Sequence, residues 1–411
     1  MTINEQTLDV GLRQSARRLP RHVRAVLQVL EGLHGGAVVM RLPGQAPITL
    51  GQGEVVAHWA VEDLAMFDRL VATGDIGLGE SWMDGQWHTE DLAALLSLLA
   101  RNRANLGRRI HGRALSLIVP RLWHRMRANT RRGARRNIAA HYDLGNDFYR
   151  LWLDPTMTYS SACFAHADEP LESAQTRKYR YLLEALGAMP GQEILEVGCG
   201  WGGFAEVAVR EYGCRVRALT LSPSQLAFAR ARAEAGGWAD RVDFELCDYR
   251  DATGQYDHIV SIEMIEAVGE AFWPTYYQQL SRCLAPGGKI MLQAITIDEA
   301  LFPAYRRGTD FIQRYIFPGG MLPTPTRIGE DAARAGLQVV EQRAFGLDYA
   351  RTLQRWAHAF SSQRAAVQAI GFDARFIRMW QFYLAYCEAG FRAGDIDVHH
   401  VGLAHVPAAG Q

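Results

Sequence analysis

Two hydrophobic rhythms divide this chain. Up to about residue 135 the apolar positions form short, unlike segments. Arg21 to Leu33 has helical spacing, Ala37 to Leu42 and Pro47 to Leu50 read as short strands, and Val61 to Ala72 is helical again. Gly74-Asp75-Ile76-Gly77-Leu78-Gly79 reads as a turn-rich stretch. Asp91 to Leu99 is a leucine-rich helix with Thr89 or Glu90 as its capping candidate. From Asn137 onward short apolar strands alternate with helices. Strands are predicted at Glu193–Val197, Arg215–Thr220, Val242–Cys247, Asp257–Ile262 and Lys289–Ile297, and helices at Phe204–Glu211, Ser224–Ala235 and Trp273–Cys283. That alternation predicts a parallel sheet covered on both faces. The expected fold class is therefore α/β, with a doubly wound Rossmann-like domain over 136–411 preceded by a smaller α+β domain over 1–135.

Composition narrows this picture in three ways. The 411 residues suit two domains, and 48% hydrophobic with 21% charged residues is a globular balance. The six cysteines form no Cys-x-x-Cys pair, which points to a reducing compartment and to no bound metal. Met1-Thr2-Ile3-Asn4-Glu5 has no apolar signal core, and no apolar run approaches the ~20 residues of a membrane span, so membrane contact is expected to be peripheral.

Charge matters through its distribution, since 44 basic residues balance 44 acidic ones. Between Asp91 and Asp143 there is no acidic residue, yet arginines recur from Arg101 and Arg103 to Arg131, Arg132, Arg135 and Arg136. Leu115, Leu117, Ile118, Leu122 and Trp123 are interleaved with them. Such a segment suits an anionic lipid surface. It equally suits a solvated linker whose arginines pair elsewhere. Too few aromatics are present to stack bases, and nucleic acid is not expected.

The first predicted strand of the α/β part runs into Glu196-Val197-Gly198-Cys199-Gly200-Trp201-Gly202. Glycines at a strand-to-helix turn let a ligand approach the main chain. The Gly-x-Gly-x-Gly spacing, with Glu196 two residues ahead of Gly198, favours the cationic S-adenosylmethionine over a dinucleotide. Later stations follow in order. Thr220, Leu221, Ser222 and Gln225 end the second strand, where a ribose would lie. Asp248 and Tyr249 end the third, Asp248 being the candidate acceptor for an adenine amino group. Ile262 ends the fourth.

The chain also resembles the cyclopropane-fatty-acyl-phospholipid synthases and their relatives, the mycolic acid cyclopropane synthases. The resemblance rests on His141-Tyr142-Asp143-Leu144-Gly145-Asn146, Leu153-Asp154-Pro155-Thr156-Met157-Thr158-Tyr159-Ser160, Leu171-Glu172-Ser173-Ala174-Gln175, the Gly198 loop, and Met264-Ile265-Glu266-Ala267-Val268-Gly269. It extends through Tyr315-Ile316-Phe317-Pro318-Gly319-Gly320 and Tyr386-Cys387-Glu388-Ala389-Gly390-Phe391-Arg392, with Gly79-Glu80-Ser81-Trp82-Met83-Asp84-Gly85 matching the phospholipid-acting branch.

The resemblance implies a class I methyltransferase fold and S-adenosylmethionine as methyl donor, bound with help from Tyr159 and Ser160. It implies as acceptor the cis double bond of an unsaturated phospholipid acyl chain, with a cyclopropane product. It further implies a cytoplasmic enzyme at the inner membrane face, a homodimer, and a bound bicarbonate as base. The bicarbonate ligands carried over are Glu266, Tyr349 and the backbone of Ile295. Ser161 stands in place of the family's cysteine and Gln293 in place of its histidine. Both can donate hydrogen bonds to an anion, but neither titrates near neutrality. These departures leave a methyl-branched or methylene product open beside the ring. Cys387 matches a cysteine singled out in the family, although its apolar helical setting fits packing as well. Trp273, Tyr276, Tyr277, Tyr305, Phe311 and Tyr315 are channel candidates with the same alternative.

Overall fold

The structure is a computed structural model that describes residues 19–104 and 144–407. It divides into two compact units: Met1–Val119 with Gly371–Ala393, and Pro120–Ile370 with Gly394–Gln411. The arginine-rich segment from Arg108 to Arg136 and the motif residues His141, Tyr142 and Asp143 lie outside the described residues.

In the first unit, helix Arg21–Leu30 buries Val23, Val26, Leu27 and Leu30, one helical stripe. A four-stranded sheet follows, with β1 at Gly36–Arg41, β2 at Ile48–Gln52, β3 at Val55–Val61 and β4 at Trp87–Thr89, in the order β2-β1-β3-β4. β3 was not expected; its alternation is short and runs directly into the next helix. The glycine-rich stretch expected to turn is instead helix Asp75–Met83. A Cβ on Gly77 would lie 2.0 Å from the carbonyl of Arg69. The glycine is there for close packing against helix Ala65–Thr73. Helix Leu92–Arg101 is capped by Asp91, which accepts from the Ala94 amide, not by Thr89 or Glu90.

The unit is completed by helix Ala374–Ala393, which returns to it from far along the chain. Trp82 Nε1 donates to the Arg378 carbonyl at 2.9 Å, and the Arg378 guanidinium lies 4.1 Å from the Trp82 ring centre. Tyr386 donates to Asp75 at 2.8 Å. The motif around Trp82 and the motif around Cys387 thus belong to one unit, whereas the sequence placed the second in the α/β domain.

The second unit is built on a seven-stranded sheet. Its strands are β5 (Glu193–Val197), β6 (Arg215–Thr220), β7 (Val242–Leu246), β8 (Tyr256–Ile262), β9 (Leu284–Ile297), β10 (Leu337–Ala344) and β11 (Ile396–His405), in the order β10-β11-β9-β8-β5-β6-β7. β5 to β9 run parallel, and β11 lies antiparallel between β9 and β10. The parallel part is as expected; the antiparallel pair was not foreseen. Helices cover both faces, and a buried cluster lies on each. Trp273, Tyr276 and Tyr277 are fully buried in one of them, which makes them core. Strand order reverses between β5 and β8, and ligands of such sheets bind beyond the carboxyl ends of the strands at that point. The Gly198 loop leaves β5 there, and Glu263 follows β8. No described helix is long and apolar enough to cross a membrane.

Candidate active site

The loop after β5 is shaped for a ligand. Gly198, Gly200 and Gly202 have φ of 86°, 52° and 85°, conformations that side chains disfavour. A Cβ on Gly198 would meet Met264 at 2.4 Å, whereas the space beside Gly200 is open to 4 Å. Cys199 is buried, and its amide is fastened to the Leu219 carbonyl at 2.8 Å. Glu196 is buried, and its Oε2 has no partner among the described protein atoms. Burial pushes its carboxyl well above the usual carboxylate range. A cationic ligand would restore its ionised form. This orphaned acceptor beside an open glycine turn fits the ammonium and sulfonium charges of S-adenosylmethionine.

The neighbouring stations are more self-contained than expected. Ser222 caps helix Pro223–Gly236 by accepting from the Gln225 amide, and Thr220 Oγ1 donates to Gln225 Oε1 at 3.0 Å. Leu221 is half-buried between them. Asp248 accepts from the Arg250 side chain at 2.6 Å and 2.8 Å, a buried ion pair, and Tyr249 packs beside it with a buried hydroxyl. Tyr159 sits in an aromatic group with Tyr149, Trp152 and Trp356, at ring distances of 5.3–5.5 Å. Ser160 accepts from Lys178. Ile262 is half-buried at the end of β8.

Four of the six residues expected to act on substrate assemble around two carboxylates, one of which the sequence reading missed. Glu263 lies between β8 and helix Ile265–Val268 with φ of 50°, a strained position for a non-glycine residue. Its Oε1 accepts from the Ser161 amide at 2.8 Å and from Gln293 Nε2 at 2.7 Å. Its Oε2 accepts from the Tyr349 hydroxyl at 2.7 Å. These are the donors expected to hold bicarbonate. The anion they hold is the protein's own carboxylate, so bicarbonate does not fit this cradle. Ser161 also serves differently from the expectation: its hydroxyl donates to the Ala162 carbonyl, and its backbone faces the anion. Glu266 Oε1 accepts from the Ile295 amide, while Oε2 is buried without a partner among the described atoms.

The two carboxylates differ in charge. Both residues are half-buried, and desolvation of their carboxyl groups raises both. Glu263 is opposed by Lys178 and by its three hydrogen-bond donors. Glu266 has fewer donors and faces Glu263, and it is pushed up to about 8. Glu263, with Lys178 and three donors opposing the effect of burial, is the more readily ionised of the two, and Glu266 the one that more readily keeps its proton. Gln293 is itself oriented, because its Oε1 meets His400 Nε2 at 2.8 Å from the paired position on β11. With Gln293 Nε2 donating to Glu263, His400 must donate. Burial keeps this imidazole neutral.

Cys387 lies in helix Ala374–Ala393, which belongs to the first unit. Glu263, Lys178 and His400 were missed. Only Glu263 had a visible signal, standing three residues before Glu266 as a second carboxylate.

A doubly wound sheet, a glycine turn with an orphaned acid, and buried carboxylates beyond the strand ends define an S-adenosylmethionine-dependent methyltransferase. Over residues 129–401 the chain matches the family described as mycolic acid cyclopropane synthetase. A tuberculostearic acid methyltransferase of Mycobacterium tuberculosis is 44% identical over 303 residues, covering 69% of this chain and 70% of its own. The cyclopropane-fatty-acyl-phospholipid synthase of Escherichia coli K12 is 37% identical, covering 64% and 65%. A mycolic acid cyclopropane synthase solved with SAH and CTAB superposes with a TM-score of 0.62 at 32% identity, over 66% of this chain and 97% of that one. The chain belongs to the cyclopropane synthase family, and it performs methyl transfer from S-adenosylmethionine to lipid chains.

Proposed function

We propose that the chain methylates the cis double bond of an unsaturated phospholipid acyl chain, that Glu263 takes up the proton released afterwards, and that the product is methylene-branched. The observation that carries this reading is Glu263 seated in the anion cradle. When bound, S-adenosylmethionine supplies an electrophilic methyl group on a sulfonium. The alkene pair forms the new carbon–carbon bond, the carbon–sulfur pair leaves with sulfur, and positive charge develops on the neighbouring alkene carbon. The faces of Tyr159 and Trp356 suit such a charge. A hydride shift moves the charge to the methyl-bearing carbon. A methyl proton then passes to Glu263, whose Oε2 accepts from Tyr349 alone among the described residues and so retains a lone pair for it.

The branched product is supported by concerted departures from the cyclopropane pattern. Ser161 and Gln293 both differ from the family ligands, and both serve Glu263. A relative named for tuberculostearic acid is the more similar of the two types, at 44% against 37%. The second reading is ring closure without the hydride shift. It is favoured by the retained Glu266, Ile295 and Tyr349.

The membrane phospholipid, the peripheral inner-face location, the dimer and a lipid-docking and dimerising role for residues 1–135 with their basic arm belong to this same reading. Incubation with labelled S-adenosylmethionine and unsaturated phospholipid vesicles tests it. Exomethylene protons in the extracted lipid support it, high-field ring protons replace it with the second reading, and absence of label from lipid refutes both.

A further inference from the structure

Close to this site lies a buried charge that the mechanism does not use. Lys178 lies on helix Leu171–Leu186 and is fully buried. Its ammonium donates to Ser160 Oγ at 2.6 Å and to Gln175 Oε1 at 2.7 Å, both neutral acceptors. The Tyr179 ring centre is 4.7 Å away. Among the described residues no carboxylate is in ion-pair contact with it. A buried ammonium without a contacting anion is an unfavourable arrangement for stability alone.

Its neighbours indicate a role. Gln175 Nε2 also donates to the Ser160 carbonyl at 2.9 Å, so Lys178 and Gln175 together grip Ser160 at both its side chain and its main chain. The next residue, Ser161, sends its amide to Glu263 and its carbonyl to Gln293. The ammonium is thus one residue removed from the carboxylate. A direct salt bridge would occupy the lone pair that the mechanism needs, whereas a cation held at one remove favours the ionised form by its field and leaves that lone pair free.

We propose that Lys178 is a positioning residue that keeps Glu263 ionised while being held off from it by Ser160. The proposal rests on the reading of Glu263 as the base. The groups facing this pair are Asp154 and Cys163 from the segment before the helix, Glu266 and Tyr349 beside Glu263, and His400 and Arg343 from β11 and β10. Asp154 is raised by burial, the Cys163 thiol is pushed up to about 12, and His400 is neutral. Glu263 is the largest favourable charge on Lys178, and Lys178 is the largest on Glu263. Burial brings the ammonium down to about 8, so it is charged at neutrality.

The test is the pH–rate profile of full-length Lys178→Gln and Lys178→Met on unsaturated phospholipid vesicles, beside wild type and Glu263→Gln. Removing the charge moves the acid limb of kcat toward alkaline pH by one unit or more. This gives roughly a tenfold loss on the acid side that is recovered at high pH. Lys178→Gln keeps the hydrogen-bonding capacity and is read even where Lys178→Met fails to fold, with S-adenosylmethionine binding as the control for folding. An acid limb at the wild-type position, or a loss that alkaline pH does not relieve, overturns the proposal and leaves Lys178 a purely structural clamp. Near-normal activity of Glu263→Gln overturns the base assignment itself, and so separates the two failures.

Discussion

Exchanging each carboxylate for its amide separates the roles of Glu263 and Glu266. In Glu263→Gln the amide oxygen still accepts from Ser161 and Gln293, and the new amino group can donate to the Tyr349 oxygen, so the cradle keeps its shape. What disappears is the lone pair that takes the proton. Loss of a positioned base lowers rates by about 10²–10⁴, equivalent to roughly 3–5 kcal/mol of barrier. Glu266 behaves differently, because a carboxyl with a pKa of about 8 is roughly nine-tenths protonated at pH 7. Its amide therefore resembles the form already present: the oxygen keeps the Ile295 amide, and the amino group replaces the acidic hydroxyl. Glu266→Gln should lose less than about tenfold. The assay is single-turnover transfer of labelled methyl into unsaturated phospholipid, with S-adenosylmethionine affinity measured separately by calorimetry. A Glu266→Gln enzyme as impaired as Glu263→Gln, with cofactor affinity intact in both, would refute the division of labour and return the base to Glu266.

Further consequences follow from the same structure. Glu266 holds its proton in the fold up to about pH 8, whereas an unfolded glutamate loses it near 4.5. Its contribution to stability is therefore fully present below about 4.5 and is lost as pH rises through about 8. Thermal melts of wild type should fall between those values more than melts of Glu266→Gln, and parallel curves would contradict the buried acid. Gly198→Ala combines a φ of 86° with a Cβ placed 2.4 Å from Met264, and should abolish S-adenosylmethionine binding in titration calorimetry; retained affinity would mean that the loop is not the cofactor's seat. Replacing Arg131, Arg132, Arg135 and Arg136 with Ala should weaken sedimentation with anionic vesicles, most visibly at low salt. Unchanged binding would return that segment to a solvated linker.

The parallel core and its glycine turn were legible because they are written locally. Ile194 to Gly202 is one contiguous run in which strand, acid and turn succeed each other, and local patterning fixes all three. What escaped was long-range or conformational. Helix Ala374–Ala393 has ordinary apolar spacing, and nothing in that spacing says that its partners are Trp82 and Asp75, some 300 residues earlier. Gly77 reads as a turn because glycine signals both a bend and a close approach, and only the Arg69 carbonyl beside it decides between them.

The active site failed to read through for a third reason. Weighed alone against a bound anion, Ser161 and Gln293 each keep a donor and lack only a group that titrates near neutrality. They are coherent only together with Glu263, whose φ of 50° turns its carboxylate into the cradle. The imidazole that Gln293 displaces has a counterpart in His400 on the paired strand, donating to the Gln293 amide from behind. A diffusible base requires donors that bind and release it. A tethered one requires donors that hold its geometry, and a backbone amide, a carboxamide locked by histidine and a tyrosine hydroxyl meet that requirement without any group that titrates near neutrality. On the proposed reading the substitutions are one change in the kind of base, distributed over β8, β9 and β11 and the segment around Ser161.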